Sequence, residues 1–275
     1  MFEELSTPLA DPQAYWKRLG LEPARAGKGD AADIALLDKL ILAHQRTISF
    51  EDLDSRFSLA PIDLSIASLE RKILQGNRGG YCFELNALFR ELLLSCGFNA
   101  VPVIGRIVRM ATGPESPLNH YGILVSTADG LRYADVGFGG PMAACSLPVF
   151  DGSVTESAGQ EFLVTRRSAG WWCISYRRAG SQDDFVEVCL FRDEPCLPSD
   201  FLPLSWYTET HPESVFRTTL LLNRRTEDGN VSLREHQFAR RSGGITEKRT
   251  VGFDELPALL EQEFLITPPP GLPRE

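Results

Sequence analysis

Long apolar runs are missing from this chain. No window approaches the ~20 consecutive apolar residues that a membrane-spanning helix needs, so no membrane partner is expected. A surplus of positive charge is missing too. Against 28 Lys and Arg stand 37 Asp and Glu, a net charge of −9, which argues against nucleic acid or an anionic lipid surface as a partner. A few arginines or free backbone N–H groups can still take an anion locally. The opening residues, MFEELSTPLADPQAYWKRLG, hold neither a basic leader nor an apolar stretch. No signal peptide is therefore expected, and the compartment is read as cytoplasmic. Paired cysteines are absent as well. Cys82, Cys96, Cys145, Cys173, Cys189 and Cys196 never fall in C-x-x-C spacing, and a chain of this length needs no disulfide staples. No internal repeat stands out, and the oligomeric state stays open.

What is present is an ordinary globular composition, 43% hydrophobic and 24% charged, enough for one large core or several smaller ones. Residues 12–97 read mostly helical. A short amphipathic helix is expected over 14–19, after Asp11-Pro12. Residues 32–46 place apolar side chains at 34, 37, 40 and 41, a 3.6 period. A third helix is expected over 65–74, stopped by Gly76-Asn77, and a fourth over 82–95, closed by Gly97. From Phe98 the period changes to two. FNAVPVIGRIVRM alternates like a strand, ATGPESPLN is a polar loop, and HYGILVS and LRYADVG read as two strands around Ala128-Asp129-Gly130. Further strands over 161–166, 171–176 and 185–191 make a small antiparallel barrel or sheet. Residues 195–206 are proline-rich and read as irregular. Strands over 214–223, 230–234 and 246–251 and a helix over 254–264 follow, then a tail, TPPPGLPRE, loose or on the surface. Helices, then strands, then a mixture give an α+β fold.

The segment Arg78-Gly-Gly-Tyr-Cys-Phe-Glu-Leu-Asn86 sets a cysteine at the start of a helix. The thiolate is the reactive form of cysteine. Free N–H groups and a partial positive charge at a helix N-terminus favour it. Gly79 and Gly80 allow a sharp turn with open space before the sulfur. The competing reading is a plain loop-to-helix junction whose sulfur points into the core. Cys96, in the apolar run Leu92-Leu93-Leu94-Ser95-Cys96, reads as a small buried hydrophobe.

A nucleophilic cysteine needs a base, and the base needs an orienting group. Of the four histidines, His44 sits late in an amphipathic helix, His211 precedes Pro212 and His236 lies among charged residues. His120 opens a strand and is the best placed. Asp135, flanked by apolar residues on the next strand, is the natural partner; bonding to loop amides is its alternative role. Two hairpin registers are open. With Asp129-Gly130 as a two-residue turn, Asp135 faces Leu124, four residues from His120 and out of reach at ~3.3 Å per residue. With 126–129 as a four-residue loop, Val125 pairs with Gly130 and His120 faces Asp135 at ~4.5–5.5 Å. The second register is expected.

Cys82, His120 and Asp135, in that order and with the cysteine on a glycine-preceded helix, resemble the arylamine N-acetyltransferase family. The matching pieces are RGGYCFELN around Cys82, the strand-opening His120, and Asp135-Val-Gly-Phe-Gly139 with Pro141 soon after. Ile48-Ser-Phe-Glu-Asp-Leu-Asp54 is similar to the family's proline-phenylalanine-glutamate-asparagine segment, and 206–216, WYTETHPESVF, to the opening of its third domain. Ser49, Asp52 and Ala87 depart from the usual proline, asparagine and glycine. The resemblance implies three parts: a helical bundle (1–97), a β-barrel (98–205) and an α/β lid (206–275). They surround a papain- or transglutaminase-like Cys-His-Asp core.

It further implies ping-pong acetyl transfer from acetyl-CoA to an arylamine or arylhydrazine through an acetyl-Cys82, with Cys82, His120 and Asp135 catalytic. Phe50, Phe138 and Phe216 are the candidate apolar walls for a flat amine, or else ordinary core. Gly137, Gly139 and Gly140 are candidates for close backbone approach to CoA, or else a tight turn. The Cys82 N–H is the natural first oxyanion donor, and the second is unassigned. Glu51 and Arg78 are a candidate structural pair, and Glu84 reads as a scaffold residue bonding nearby backbone. No metal is expected, because no further ligands stand at proper spacing from Cys82 and His120. The rivals are an amide synthase of the same family with a wider acyl channel, a cysteine hydrolase or transglutaminase-like enzyme, and a binding module with a degenerate site.

Overall fold

The computed structural model of the protein describes residues 6–27, 31–108, 117–167 and 170–273. Residues 109–110 of the strand expected from Phe98, 111–116 of the polar loop after it, and the extreme ends of the opening segment and of the tail lie outside the described residues. No helix of the described residues is long and apolar enough to cross a membrane.

The N-terminal part is helical, as the 3.6 period predicts. In α1 (Pro12–Leu19), the Asp11 side chain accepts from Ala14 N–H at 3.1 Å and Gly20 closes the helix at φ 67°, the usual cap chemistry at each end. Next come α2 (Ala31–Thr47), the two-residue strand β1 (Phe50–Glu51), α3 (Leu53–Phe57) and α4 (Ile66–Leu69). The last runs straight into a π-helical stretch, Glu70–Gln75. The central helix α5 (Cys82–Ser95) is buried on nearly every side. It packs on β2 (Asn99–Ile107) and β3 (His120–Thr127).

Those two strands belong to an eight-stranded antiparallel sheet. Its other members are β4 (Gly130–Ala134), β5 (Leu147–Pro148), β6 (Ser153–Ser157), β7 (Gln160–Arg166), β8 (Trp171–Arg178) and β9 (Val186–Pro195). The order is β5-β4-β3-β2-β9-β8-β7-β6. The end strand β5 packs on β6 and β7, so the sheet curls into a nearly closed barrel around Leu124, Phe162, Ile174 and Phe191. The chain ends with α6 (Phe201–Thr210), α7 (Val215–Thr218), β10 (Leu221–Arg225), β11 (Gly229–Arg234), β12 (Gln237–Ser242), β13 (Ile245–Thr250) and α8 (Leu256–Phe264). These strands extend β1 into a second sheet, β1-β10-β11-β12-β13, with Leu222, Leu233 and Phe238 packed on Leu256, Leu260 and Phe264. The tail lies on the surface, and Thr267 N–H donates to Asn77 O at 3.0 Å.

Three expectations need correction. The segment 195–206, read as irregular, holds a 3₁₀ turn and the start of α6. Pro203 is tolerated there because it falls in the first turn, where backbone N–H groups have no intrahelical acceptor. The strand expected over 214–223 begins instead as α7, because the Ser214 hydroxyl accepts from Phe216 N–H, and only its end enters β10. Strand β12 carries no strand signal in its own sequence, because QFARRS carries charge where a strand usually carries β-branched residues. Its turn was legible: Gly243 and Gly244, both at positive φ, link Ser242 to its partner Ile245, as a two-residue hairpin requires.

The third correction concerns the β3–β4 hairpin. Thr127 pairs with Gly130 and Ile123 with Ala134, so the turn is Ala128-Asp129 and neither anticipated register holds. Carried one residue past the ladder, this alignment sets Asp135 opposite Gly122, two residues from His120 on the same face. That diagonal is within reach of long side chains. Asp135 also lies just beyond the end of β4, where the backbone is free to turn toward the imidazole.

Candidate active site

The turn before Cys82 is held from both sides. Gly80 O accepts from Glu51 N–H at 2.9 Å, and a parallel bridge links Gly80 to Phe50. A Cβ at Gly79 would run into the Ser49 carbonyl, so only glycine lets the two backbones lie this close. Arg78 bonds Glu51 at 2.8 Å and Asp54 at 3.0 Å. Lys72 bonds Asp54 at 2.7 Å and Glu84 at 2.6 Å. Glu84 also accepts from Tyr81 N–H at 3.2 Å, which covers one of the free donors at the start of α5. The expected Glu51–Arg78 pair and the scaffold role of Glu84 are both present, joined in one buried ion network beneath the cysteine.

Cys82 opens α5, is 4% exposed, and has its Sγ 3.8 Å from Asn119 O. His120 lies beside it, near enough for the thiol to bear on the protonation of the imidazole. The His120 Nε2 meets Asp135 Oδ2 at 2.6 Å, which leaves Nδ1 for the sulfur. Burial alone would push an imidazole toward its neutral form. The Asp135 charge and hydrogen bond, with Cys82 beside them, outweigh burial and raise His120 from 6.5 to about 10. Burial raises the thiols of Cys145, Cys173, Cys189 and Cys196, and pushes Cys96 up to about 11.

Asp135 is fully furnished with donors. Its Oδ1 accepts from Asn86 Nδ2 at 2.9 Å and from Gly137 N–H at 2.8 Å; its Oδ2 accepts from Tyr133 Oη at 3.1 Å besides the histidine. The loop-amide role that competed for Asp135 is therefore also real, and coexists with the imidazole bond. Asn86, the last residue of the RGGYCFELN segment, ties α5 to this carboxylate and to the loop after it. It lies one helical turn after Cys82 on the same face. Its amide also donates to Tyr121 O at 2.6 Å and accepts from Val136 N–H at 2.9 Å. The signal was available: a polar amide four residues after the cysteine, on a helix otherwise apolar enough to be buried.

The candidate walls divide. Phe138 packs edge-on against His120, ring centroids 5.6 Å apart. Phe50 and Phe216 meet each other at 6.1 Å. A cleft of about 1060 Å³ is lined by Phe50 and Phe138 but not by Phe216 or Cys82, so the sulfur lies behind the aromatic end of the cleft. Gly139 and Gly140 line the cleft. Gly139 has φ 69°, and a Cβ there would stand 2.7 Å from the Phe50 ring. Gly137 is not on the cleft wall: a Cβ there would stand 2.7 Å from Cys82 Cα, and its bareness lets the loop after Asp135 lie against the cysteine.

The lining also carries six arginines, Arg46, Arg178, Arg224, Arg225, Arg234 and Arg241, and two acids, Glu227 and Asp228. Arg225 donates to Gln45 Oε1 at 2.8 Å and to Met142 O at 2.7 Å, and Arg46 to Glu227 O at 3.1 Å. Among the described residues neither guanidinium has a carboxylate in ion-pair range. Burial and the neighbouring Arg46 charge push Arg225 downward. Arg46 and Arg225 thus share the cleft with Glu227 and Asp228 without forming an ion pair among the described residues.

The sequence model of the N-acetyltransferase family matches residues 33–268. The arylamine N-acetyltransferase of Mycolicibacterium smegmatis is 31% identical over 255 residues, 91% of this chain and 89% of that protein. The solved arylamine N-acetyltransferase of Salmonella typhimurium superposes with a TM-score of 0.85 at 29% identity, covering 94% of this chain and 92% of its own. That of Mycobacterium marinum, in complex with CoA, gives 0.83 at 26% identity and covers 93% of each chain. Matching in sequence and in fold over nearly its whole length, this chain belongs to the arylamine N-acetyltransferase family of transferases.

Proposed function

We propose that the protein transfers an acetyl group from acetyl-CoA to arylamines and arylhydrazines by a ping-pong reaction through an acetyl-Cys82 intermediate. The observation that carries this is the chain of contacts from Cys82 through His120 to Asp135, closed by the 2.6 Å bond. The Cys82 proton passes to His120 Nδ1, and Asp135 steadies the imidazolium. The thiolate attacks the thioester carbonyl, with the Cys82 N–H at the helix start as one donor to the oxyanion. The bond from carbon to the CoA sulfur breaks, and His120 returns its proton to that sulfur. The amine then attacks acetyl-Cys82, His120 accepts the amine proton, and the carbon–sulfur bond to Cys82 breaks to release the amide.

In this assignment residues 1–97 supply the nucleophile, 98–205 the imidazole and carboxylate in the papain- or transglutaminase-like manner, and 206–275 cover the cleft. The phosphates of CoA lie along Arg46 and Arg225, the pantetheine passes Gly139 and Gly140, and Phe50 and Phe138 bound the amine side, with Phe216 packed against Phe50. Free thiols and acetyl-CoA both belong to a reducing interior, so we place the reaction in the cytoplasm. Intact-protein mass measurement tests the proposal. Acetyl-CoA without amine should add one acetyl group, which Cys82→Ala abolishes and an added arylamine removes. No label on the protein, together with peptide hydrolysis, would replace it with the hydrolase reading.

A further inference from the structure

Tyr133 lies on β4 two residues before Asp135, and residues two apart on an extended chain share a face. Its ring is buried against Phe191, with centroids 4.6 Å apart. Burial raises the phenol well above its ordinary range, so the hydroxyl keeps its proton and donates. Its acceptor at 3.1 Å is Asp135 Oδ2, the same oxygen that engages His120.

The ring occupies space that a neighbouring side chain would otherwise fill. A Cβ on Gly122 would stand 2.5 Å from Tyr133 Cε2 and 2.6 Å from its hydroxyl. Phe191 packs against the ring, so an added Cβ would have to push it off the carboxylate. Glycine inside a strand weakens the strand, and Gly122 interrupts the otherwise side-chain-rich run of β3. That position is bare where a phenol reaches past it to the carboxylate.

We propose that Tyr133 is a positioning residue for acetyl transfer: its hydroxyl fixes Asp135 Oδ2 in the orientation that holds His120, and Gly122 makes the room it needs. The role builds on the triad proposed above. Asn86 and the Gly137 N–H anchor Oδ1, and Tyr133 anchors Oδ2 beside the histidine, so the carboxylate has no free rotation. A second donor on Oδ2 also disperses charge that would otherwise bear wholly on the imidazolium. The titratable groups that face this carboxylate are His120 from β3, Tyr133 from β4, Cys82 from α5 and Cys189 from β9.

Tyr133→Phe keeps the ring and removes only the hydroxyl. We expect kcat/KM to fall about three- to tenfold with KM for acetyl-CoA unchanged. The alkaline limb of the rate–pH profile should move up by about half a pH unit, because a carboxylate with one donor fewer holds the imidazolium proton more tightly. Gly122→Ala should produce the same defect by displacing the ring, and Gly122→Ala with Tyr133→Phe should cost no more than Gly122→Ala alone. Should Gly122→Ala fail to fold, Tyr133→Phe carries the test by itself. An unchanged rate and pH profile in Tyr133→Phe, or losses that multiply in the double variant, overturn the role. Asp135→Asn separates the two levels. Full activity there ends the triad itself, whereas an inactive Asp135→Asn beside a wild-type Tyr133→Phe ends only the role of Tyr133.

Discussion

The floor of the site and the wall of its cleft follow opposite rules. Around Asp135 each carboxylate oxygen has two donors, and all four belong to the protein. Along the cleft, Arg46 and Arg225 bond only neutral oxygens, and among the described residues no carboxylate pairs with either. The floor is finished before any substrate binds, as a preorganised electrostatic site requires. In the proposed reaction a phosphate-bearing substrate would supply the charge that the wall lacks. The contrast teaches where substitutions should act on rate and where on binding.

The largest effect should come from breaking the floor. Asp135→Asn should lower kcat about 10³-fold or more, since the imidazole loses both its orientation and its counter-charge; steady-state acetyl transfer reads this. Breaking the wall should act differently. Arg225→Gln should raise KM for acetyl-CoA about tenfold, worth about 1.4 kcal/mol, with kcat nearly unchanged. A short acetyl thioester without phosphates should show no such penalty, and equal loss for both donors would refute the division.

Smaller effects should appear in stability. The folded His120 pKa lies near 10, above its unfolded 6.5. The folded state therefore holds the extra proton between those values. The stabilisation from this pair should be complete below about pH 6.5 and lost as pH rises through about 10. Thermal melts across that range should slope downward in the wild type and flatten in His120→Gln. The smallest change should be at Asp52. It is buried, its Oδ1 accepts from Leu221 N–H at 2.9 Å, and its Oδ2 has no partner. Burial raises its pKa well above the usual carboxylate range, and the Glu51 charge adds to this. The folded state again holds the extra proton, so this carboxyl stabilises below its unfolded pKa and loses that contribution as pH rises. Asp52→Asn should gain about 1 kcal/mol at pH 8 and almost nothing at pH 4, a gain typical of removing one poorly satisfied buried polar group. Chemical denaturation at the two pH values measures it.

Much of the floor was legible along the chain, because its parts are local signals. Two glycines before a helical period placed Cys82, a strand opening after a polar loop placed His120, and apolar neighbours marked Asp135 as buried. The pairing register was not legible, because a hairpin turn shifted by a residue leaves the same alternation of side chains. The His120–Asp135 contact survived that error since Asp135 stands beyond the last ladder pair. The wall was illegible for a different reason. Arg46 and Arg225 come together only when α2 packs on β10, and nothing local to either position announces the other. Helix α6 was hidden by Pro203, which punctuates a sequence without always breaking its structure.

Strand β1 is only two residues long, yet it touches both ends of the molecule. On one side Phe50 bridges Gly80, two residues before the cysteine; on the other Phe50 and Glu51 pair with Asn223 and Leu222. Removing the terminal sheet would strip partners from the same two residues that brace the turn before Cys82. Heating should therefore yield one cooperative melt rather than two, and proteolysis that clips the terminal sheet should extinguish acylation along with it.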